Sequence, residues 1–235
     1  MKVTRVDFNI GDVNGWFTKK SPEQLLEWAV DKFQGEVVLA CSFGAEDVVL
    51  VDMLSKVTKK PRIFYLDTDK HFKETYETRD KLADKYGIEF IRVRPRLTLE
   101  EQAKKYGDRL WERDPNQCCY IRKVEPLKET LEGEKAWITG IRREQSHTRA
   151  YTQLVEWDDK FELVKINPIA FWTTAQVWGY IKEHKVPYNP LHDQNYPSIG
   201  CNVCTKPVKP GEDARSGRWA GLMKTECGLH KGGLK

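Results

Sequence analysis

Six cysteines carry most of the chemistry this 235-residue sequence offers, and their spacing sorts them into three kinds. Cys227 lies in Glu226-Cys227-Gly228-Leu229-His230, eight residues from the end, with no apolar run after it to bury a core thiol. Terminal segments are mobile unless tied down. The residue is therefore either incidental or a nucleophile delivered by a flexible arm. A free thiol has a pKa of ~8.5 and is only a few per cent thiolate at neutral pH. Lys224, His230, Arg215 and Arg218 would lower that value if they converged, and Glu226 would oppose them.

Cys118-Cys119 and Cys201-x-x-Cys204 supply four more thiols, separated by a long interval. Four thiolates suit zinc or an iron–sulfur cluster. Two adjacent cysteines at a helix start share one small tetrahedral ion poorly but can grip a wider cluster, which favours iron–sulfur. Two unrelated buried thiols plus a chance Cys-x-x-Cys is the ordinary alternative. Lys123, four residues after Cys119, falls near the same helix face. It either places positive charge between an anionic cluster and a ligand or is a surface lysine. Cys41 ends an apolar run and reads as a small core side chain.

Three loops carry polar residues of a second type. Ser42-Phe43-Gly44-Ala45-Glu46-Asp47 follows an apolar run and precedes another. Gly44 lets backbone N–H groups approach a ligand at a helix N-terminus, which favours an anion. The GxxxxGK[ST] and GxGxxG patterns are absent from this turn. Leu66-Asp67-Thr68 ends the next apolar run. Arg142 and Arg143 present guanidinium forks suited to phosphate or sulfate oxygens. Each loop alone is equally an ordinary turn. Their shared position after strands of one sheet argues for a phosphate or sulfate ligand.

The elements that must position these groups follow from periodicity. Ser21-Pro22-Glu23-Gln24 is a capping-box start, with Leu25, Leu26, Ala29, Val30 and Phe33 on one face. Val37 to Cys41, Ile63 to Leu66, Glu89 to Val93 and Ala136 to Gly140 read as strands. Helices are expected from Val48, over Glu74 to Tyr86, from a Thr98–Glu101 capping box to Tyr106, over 117–131, and from a Thr173–Gln176 capping box. Asp114-Pro115-Asn116 reads as a turn. Leu154 to Trp157 and Phe161 to Ile166 read as a hairpin. Near-continuous apolar strands alternating with helices predict an α/β fold with a mainly parallel sheet flanked by helices. Its ligand lies at the carboxyl ends of the strands, lined by the turns after residues 41, 66 and 140. Residues 1–20 read as an arm, 21–186 as the α/β domain, and 187–235 as an irregular cysteine-bearing C-terminal segment.

Composition is that of an ordinary soluble globular protein, 40% hydrophobic and 31% charged, with a formal charge of +4. That charge suffices for a small anion and is low for a nucleic-acid binder. No run reaches the ~18–20 apolar residues of a membrane span, and no signal core follows Met1-Lys2. The expectation is a cytoplasmic protein with no membrane and no nucleic-acid partner, whose thiols are ligands or catalytic groups rather than disulfides.

Taken together, these motifs resemble the assimilatory sulfonucleotide reductases, the adenylyl-sulfate and phosphoadenylyl-sulfate reductases of bacterial cysteine biosynthesis. The resemblance runs from about residue 24 to residue 231. It rests on Ser42 to Asp47, Leu66-Asp67-Thr68, Cys118-Cys119 with Arg122-Lys123, Gly140 to Ser146, Cys201-x-x-Cys204 and Glu226 to His230. It implies an adenine-nucleotide alpha-hydrolase-like fold and Cys227 as the nucleophile that attacks the sulfate sulfur. A cysteine S-sulfonate forms, and reduced thioredoxin, or a glutaredoxin-like donor, releases sulfite. It further implies a [4Fe–4S] cluster on Cys118, Cys119, Cys201 and Cys204, a feature of the adenylyl-sulfate branch, and a homo-oligomer. Lys123, Arg142, Arg143, Arg215, Arg218 and His230 are expected around the anion. Asp69 departs from the glycine many relatives carry. Near the ribose end it would disfavour a 3′-phosphate; otherwise it points to solvent. The substrate is thus adenylyl sulfate, its 3′-phosphorylated form, or both.

Two rivals remain at this stage. An ATP-pyrophosphatase that thiolates tRNA shares the fold but usually has a Ser-Gly-Gly-x-Asp-Ser turn and leaves Glu226 to His230 unexplained. A zinc-stabilised nucleic-acid module is opposed by the low charge.

Overall fold

The computed structural model describes residues 9–221, 224 and 226–230. A six-stranded sheet runs in the order β3-β2-β1-β4-β6-β5. Its strands are β1 (Val37–Ala40), β2 (Ile63–Leu66), β3 (Ile91–Val93), β4 (Ala136–Ile138), β5 (Val155–Asp158) and β6 (Leu163–Ile166). All pairings are parallel except β5 with β6, which forms the expected hairpin.

Strand side chains alternate between faces, and here the two faces differ in depth. Val37 and Leu39, Ile63 and Tyr65, Ala136 and Ile138, and Val164 and Ile166 enter the larger core. That core also takes the apolar faces of α2 (Pro22–Phe33), α3 (Ala45–Val57) and α9 (Thr174–Glu183). The intervening Val38, Phe64, Trp137 and Leu163 form a smaller cluster, capped by Leu127 and Leu131 of α8 (Glu125–Leu131) and by Leu229 of the C-terminal segment. The thin face is therefore where the cysteine-bearing tail lies down.

Three capping boxes start helices as the sequence predicts: Ser21–Gln24, Thr98–Glu101 and Thr173–Gln176. Two expectations need correction. The stretch 1–20 is not wholly an arm: α1 (Ile10–Phe17) is capped by Asn9, and Asn14 bonds both backbone groups of Val155 on the edge strand. Residues 1–8 lie outside the described set. Asp114-Pro115-Asn116 is not a free turn either. Asp114 accepts from the N–H groups of Asn116 and Gln117 and caps α7 (Pro115–Cys119). A π-helical turn, Tyr120–Val124, then joins α7 to α8. One-turn π segments recur at functional sites because the extra residue re-aims side chains; this one carries Arg122 and Lys123.

The strand order reverses between β1 and β4, since β2 and β3 lie on one side of β1 and β4 and β6 on the other. A crevice opens beyond the carboxyl ends of the two central strands at such a switch point.

Candidate active site

That crevice is a cavity of about 570 Å³, walled by Ser42 to Asp47 after β1, Leu66 after β2, Gly140 to Arg142 after β4, and the tail with Cys227 and His230. The first wall is locked from within. Asp47 turns back, and its Oδ2 accepts from the N–H and hydroxyl of Ser42, both at 2.6 Å. Burial pushes the Asp47 carboxyl up to about 6, against the pull of those two bonds. Gly140 is obligatory by contact: a Cβ there would strike Asp47 Oδ1 and lie 2.9 Å from Glu46 Cβ. Four residues of the wall, Trp137, His192, Arg218 and His230, each carry a buried polar atom with no partner in the protein. Leaving such atoms unpaired costs ~1–3 kcal/mol each.

The tail is anchored on both sides of Cys227. Before it, Glu226 is buried and accepts from Arg149 at 2.9 Å and Arg215 at 3.1 Å. Burial alone would raise the Glu226 carboxyl, but the two guanidiniums hold it below the usual range. After it, Lys160 Nζ donates to Gly228 O at 2.6 Å. Leu229 joins the thin-face cluster, and His230 stacks on Trp137 with ring centroids 5.5 Å apart. Burial, reinforced by Lys165, Arg149, Arg215 and Lys160, holds the His230 imidazole well below its ordinary range. The stack on Trp137 holds the ring in place beside Cys227.

The remaining thiols meet elsewhere. Cys118, Cys119, Cys201 and Cys204 line a second, small cavity with Arg122, Lys123, Arg218 and Trp219. Burial and the neighbouring thiols push Cys118 to about 11 and Cys204 to about 12. Burial opposes ionisation of Cys201 too, but Lys123, the Thr68 hydroxyl at 3.3 Å and the two arginines bring it below the usual value. Among the described residues no three His, Cys, Asp or Glu are close enough to share one metal ion. The four thiols that line this chamber are donors of the soft kind that thiolate metal sites use. Lys123 and Arg218 stand in the walls of both cavities. Burial disfavours the Lys123 ammonium, but the neighbouring sulfur groups of Cys201, Cys119 and Cys227 overcome that and raise its pKa.

Among residues predicted from sequence, Ser42, Gly44, Ala45, Glu46, Asp47, Leu66, Lys123, Arg215, Arg218, Cys227 and His230 all reach the large cavity. Others do not serve as expected. Phe43 turns inward at φ 61° and packs on Tyr65 and Phe90. Asp67 is fully buried under Arg92 and Tyr76. Thr68 faces the thiol chamber through Cys201 and gives its carbonyl to Arg122. Arg142 reaches the wall, but its five N–H donors all go to Glu46, Glu144, Trp172 O and Thr174, leaving none for an anion. Arg143 lies over Phe171 and donates to Thr152 O. Lys224 holds Pro115 O and Asn116, on the thiol-chamber side. Asp69 is partly exposed and pairs with Arg122 and Arg94. Sequence reading missed Arg149 and Lys160, whose only signal was their charge, and the anchoring role of Glu226.

A switch-point cleft built on this strand order defines the adenine-nucleotide alpha-hydrolase-like class. Similarity to Candida glabrata FMN adenylyltransferase agrees at the level of fold: TM-score 0.57, 15% identity, 83% of this chain and 72% of that one. The phosphoadenosine phosphosulfate reductase domain model matches residues 36–207, and the chain belongs to that family. It is 53% identical over 213 residues to the adenosine 5′-phosphosulfate reductase of Bacillus velezensis, covering 90% of this chain and 91% of the relative. It is 50% identical to that of Staphylococcus epidermidis, over 90% and 87% of the two chains. The phosphoadenylyl-sulfate reductase of Candida auris, solved with phosphate, superposes with TM-score 0.78 and 33% identity, over 88% of this chain and all of that one.

Proposed function

We propose that this protein reduces adenylyl sulfate to sulfite and AMP in sulfate assimilation, with Cys227 as the nucleophile. The observation that carries the reading is one cavity wall holding Cys227, Lys123, Arg215 and Arg218 together with the Ser42–Asp47 turn. A thiolate, a nucleotide cradle and fixed positive charge then face the same space.

The Cys227 thiolate attacks the sulfate sulfur. An S–S bond forms, the bond from that sulfur to the bridging phosphate oxygen breaks, and AMP leaves with the electron pair. Lys123, Arg215 and Arg218 stabilise the anionic oxygens as charge shifts to the phosphate. A thiol of reduced thioredoxin, or of a glutaredoxin-like donor, then attacks Cys227 Sγ and expels sulfite. Its second thiol resolves the mixed disulfide, so the donor supplies both electrons and ends as a disulfide. Cys118, Cys119, Cys201 and Cys204 would hold a [4Fe–4S] cluster, whose contribution is electrostatic and structural. Support for adenylyl sulfate over its 3′-phosphorylated form comes from the naming of the ~50% identical relatives and from Arg142 being fully engaged by the protein. The protein is read as a cytoplasmic homo-oligomer; among the described residues no helix is long and apolar enough to cross a membrane.

The test compares kcat/KM for sulfite release from the two sulfonucleotides with anaerobically purified protein and reduced thioredoxin. A preference of a hundredfold or more for adenylyl sulfate is expected, ~2.7 kcal/mol in transition-state binding. Comparable values would make the enzyme dual-specific. Cys227→Ser should abolish turnover while leaving iron content and AMP affinity intact; retained turnover would remove Cys227 from the mechanism.

A further inference from the structure

Cys227 is held between two anchors of different kinds. On one side Glu226 is buried and doubly ion-paired with Arg149 and Arg215. On the other, an exposed lysine, Lys160, reaches from the β5–β6 turn to the carbonyl of Gly228, just ahead of the packed Leu229 and the His230 ring stacked on Trp137. That turn is built to present it. Asp158 Oδ1 accepts from the N–H groups of both Lys160 and Phe161, and the Lys160 ammonium lies 5.1 Å from the Phe161 ring centroid. Gly228 adopts φ +85°, a left-handed conformation that turns the chain directly after the thiol. A bond to this carbonyl therefore fixes which way residue 227 faces.

We propose that Lys160 is a positioning residue for the nucleophile: its bond to Gly228 O clasps the tail with Cys227 turned into the cavity, in concert with the Glu226 ion pairs before the thiol and the packing of Leu229 and His230 after it. The inference rests on the assignment of Cys227 as nucleophile. Attack on sulfur needs Cys227 held over the nucleotide. The Lys160 bond is the solvent-exposed member of these contacts, so its donor can be removed without disturbing the buried ones. Lys160 does not touch the reacting atoms; it acts through the backbone of the residue after them.

The experiment uses the full chain with its iron bound. Lys160→Met keeps most of the side chain and removes the donor, and Lys160→Arg restores one. Two measurements are made: amide hydrogen exchange over residues 226–230, and the single-turnover rate of S-sulfonate formation on Cys227 at saturating adenylyl sulfate. For Lys160→Met, exchange should rise about tenfold and the single-turnover rate fall about tenfold, ~1.4 kcal/mol. AMP affinity should be unchanged, and Lys160→Arg should recover most of both effects. Unchanged exchange and rate in Lys160→Met would overturn the clasp. Equal impairment by Arg and Met would overturn it as well, since the donor would not be what matters. If the unaltered protein formed no S-sulfonate, the nucleophile assignment would fail, while the exchange measurement would still judge the clasp.

Discussion

Asp47 shows how far residue type alone predicts role. It was read as one residue of a ligand-holding turn, and it does line the cavity. Yet both bonds to Oδ2 come from Ser42, so it also holds the turn shut. Burial raises its native pKa to about 6 from 3.8. A group that binds its proton more tightly when folded adds stability that is complete below the unfolded value and is lost as pH climbs through the folded one. Between pH 5 and pH 8 the loss is ~1.4 kcal/mol for these values. Asp47→Asn cannot ionise, so its urea-measured stability relative to the unaltered protein should improve by roughly that amount across the same interval. A constant difference between the two proteins at both pH values would show that Asp47 does not titrate there. Arg142 teaches the converse lesson. Two adjacent arginines after a strand suggest an anion clamp, and nothing in the sequence reveals that Glu46, 96 residues earlier, and Glu144 will consume the donors. Partners distant in sequence decide what a guanidinium is for, and a motif cannot supply them.

At the scale of elements, features encoded within a few residues were legible and features set by tertiary fit were not. Capping boxes are local, so all three could be read with their boundaries. The central strands β1, β2 and β4 were legible because both faces are covered, which makes each an apolar run. Helix α1 was missed because its face is mixed; it is held by one asparagine bonding an edge strand 141 residues away. The π turn at Tyr120–Val124 was missed because an extra residue in a helix leaves the apolar pattern nearly unchanged. Its consequence is functional: α7 carries Cys118 and Cys119, and the π turn immediately following carries Lys123 into both cavities. Asp114 is the sole side-chain cap of α7, with bonds of 3.1 and 2.9 Å to two N–H groups. Asp114→Ala should cost ~1 kcal/mol of stability. Because a five-residue helix has little propensity of its own to fall back on, the same change should lower iron bound per chain. Full iron content with normal stability would show that the cysteine pair is placed by packing alone.

For the molecule as a whole, the division of labour follows the two faces of the sheet. The deep face, with α2, α3 and α9, holds the strands and hence the turns that wall the cavity. The thin face is covered by α8 and the tail, and the thiol chamber sits beside them. Nucleotide binding should therefore depend on the first half and catalysis on both. Cys204→Ser tests this partition, since a serine hydroxyl is a poor substitute for a soft thiolate ligand. The variant should lose most of its iron and at least a hundredfold in sulfite production. Its affinity for AMP should stay within about threefold, because the Ser42–Asp47 lock and the contact of Gly140 with Asp47 do not involve the chamber. Lys123 and Arg218, the two side chains common to both walls, would then couple the chamber thiols electrostatically to the cavity. Titration calorimetry with AMP, run beside an iron assay, separates the possibilities. If AMP binding falls in step with iron content, the chamber organises the whole cleft, and the sheet alone is not sufficient to build the nucleotide site.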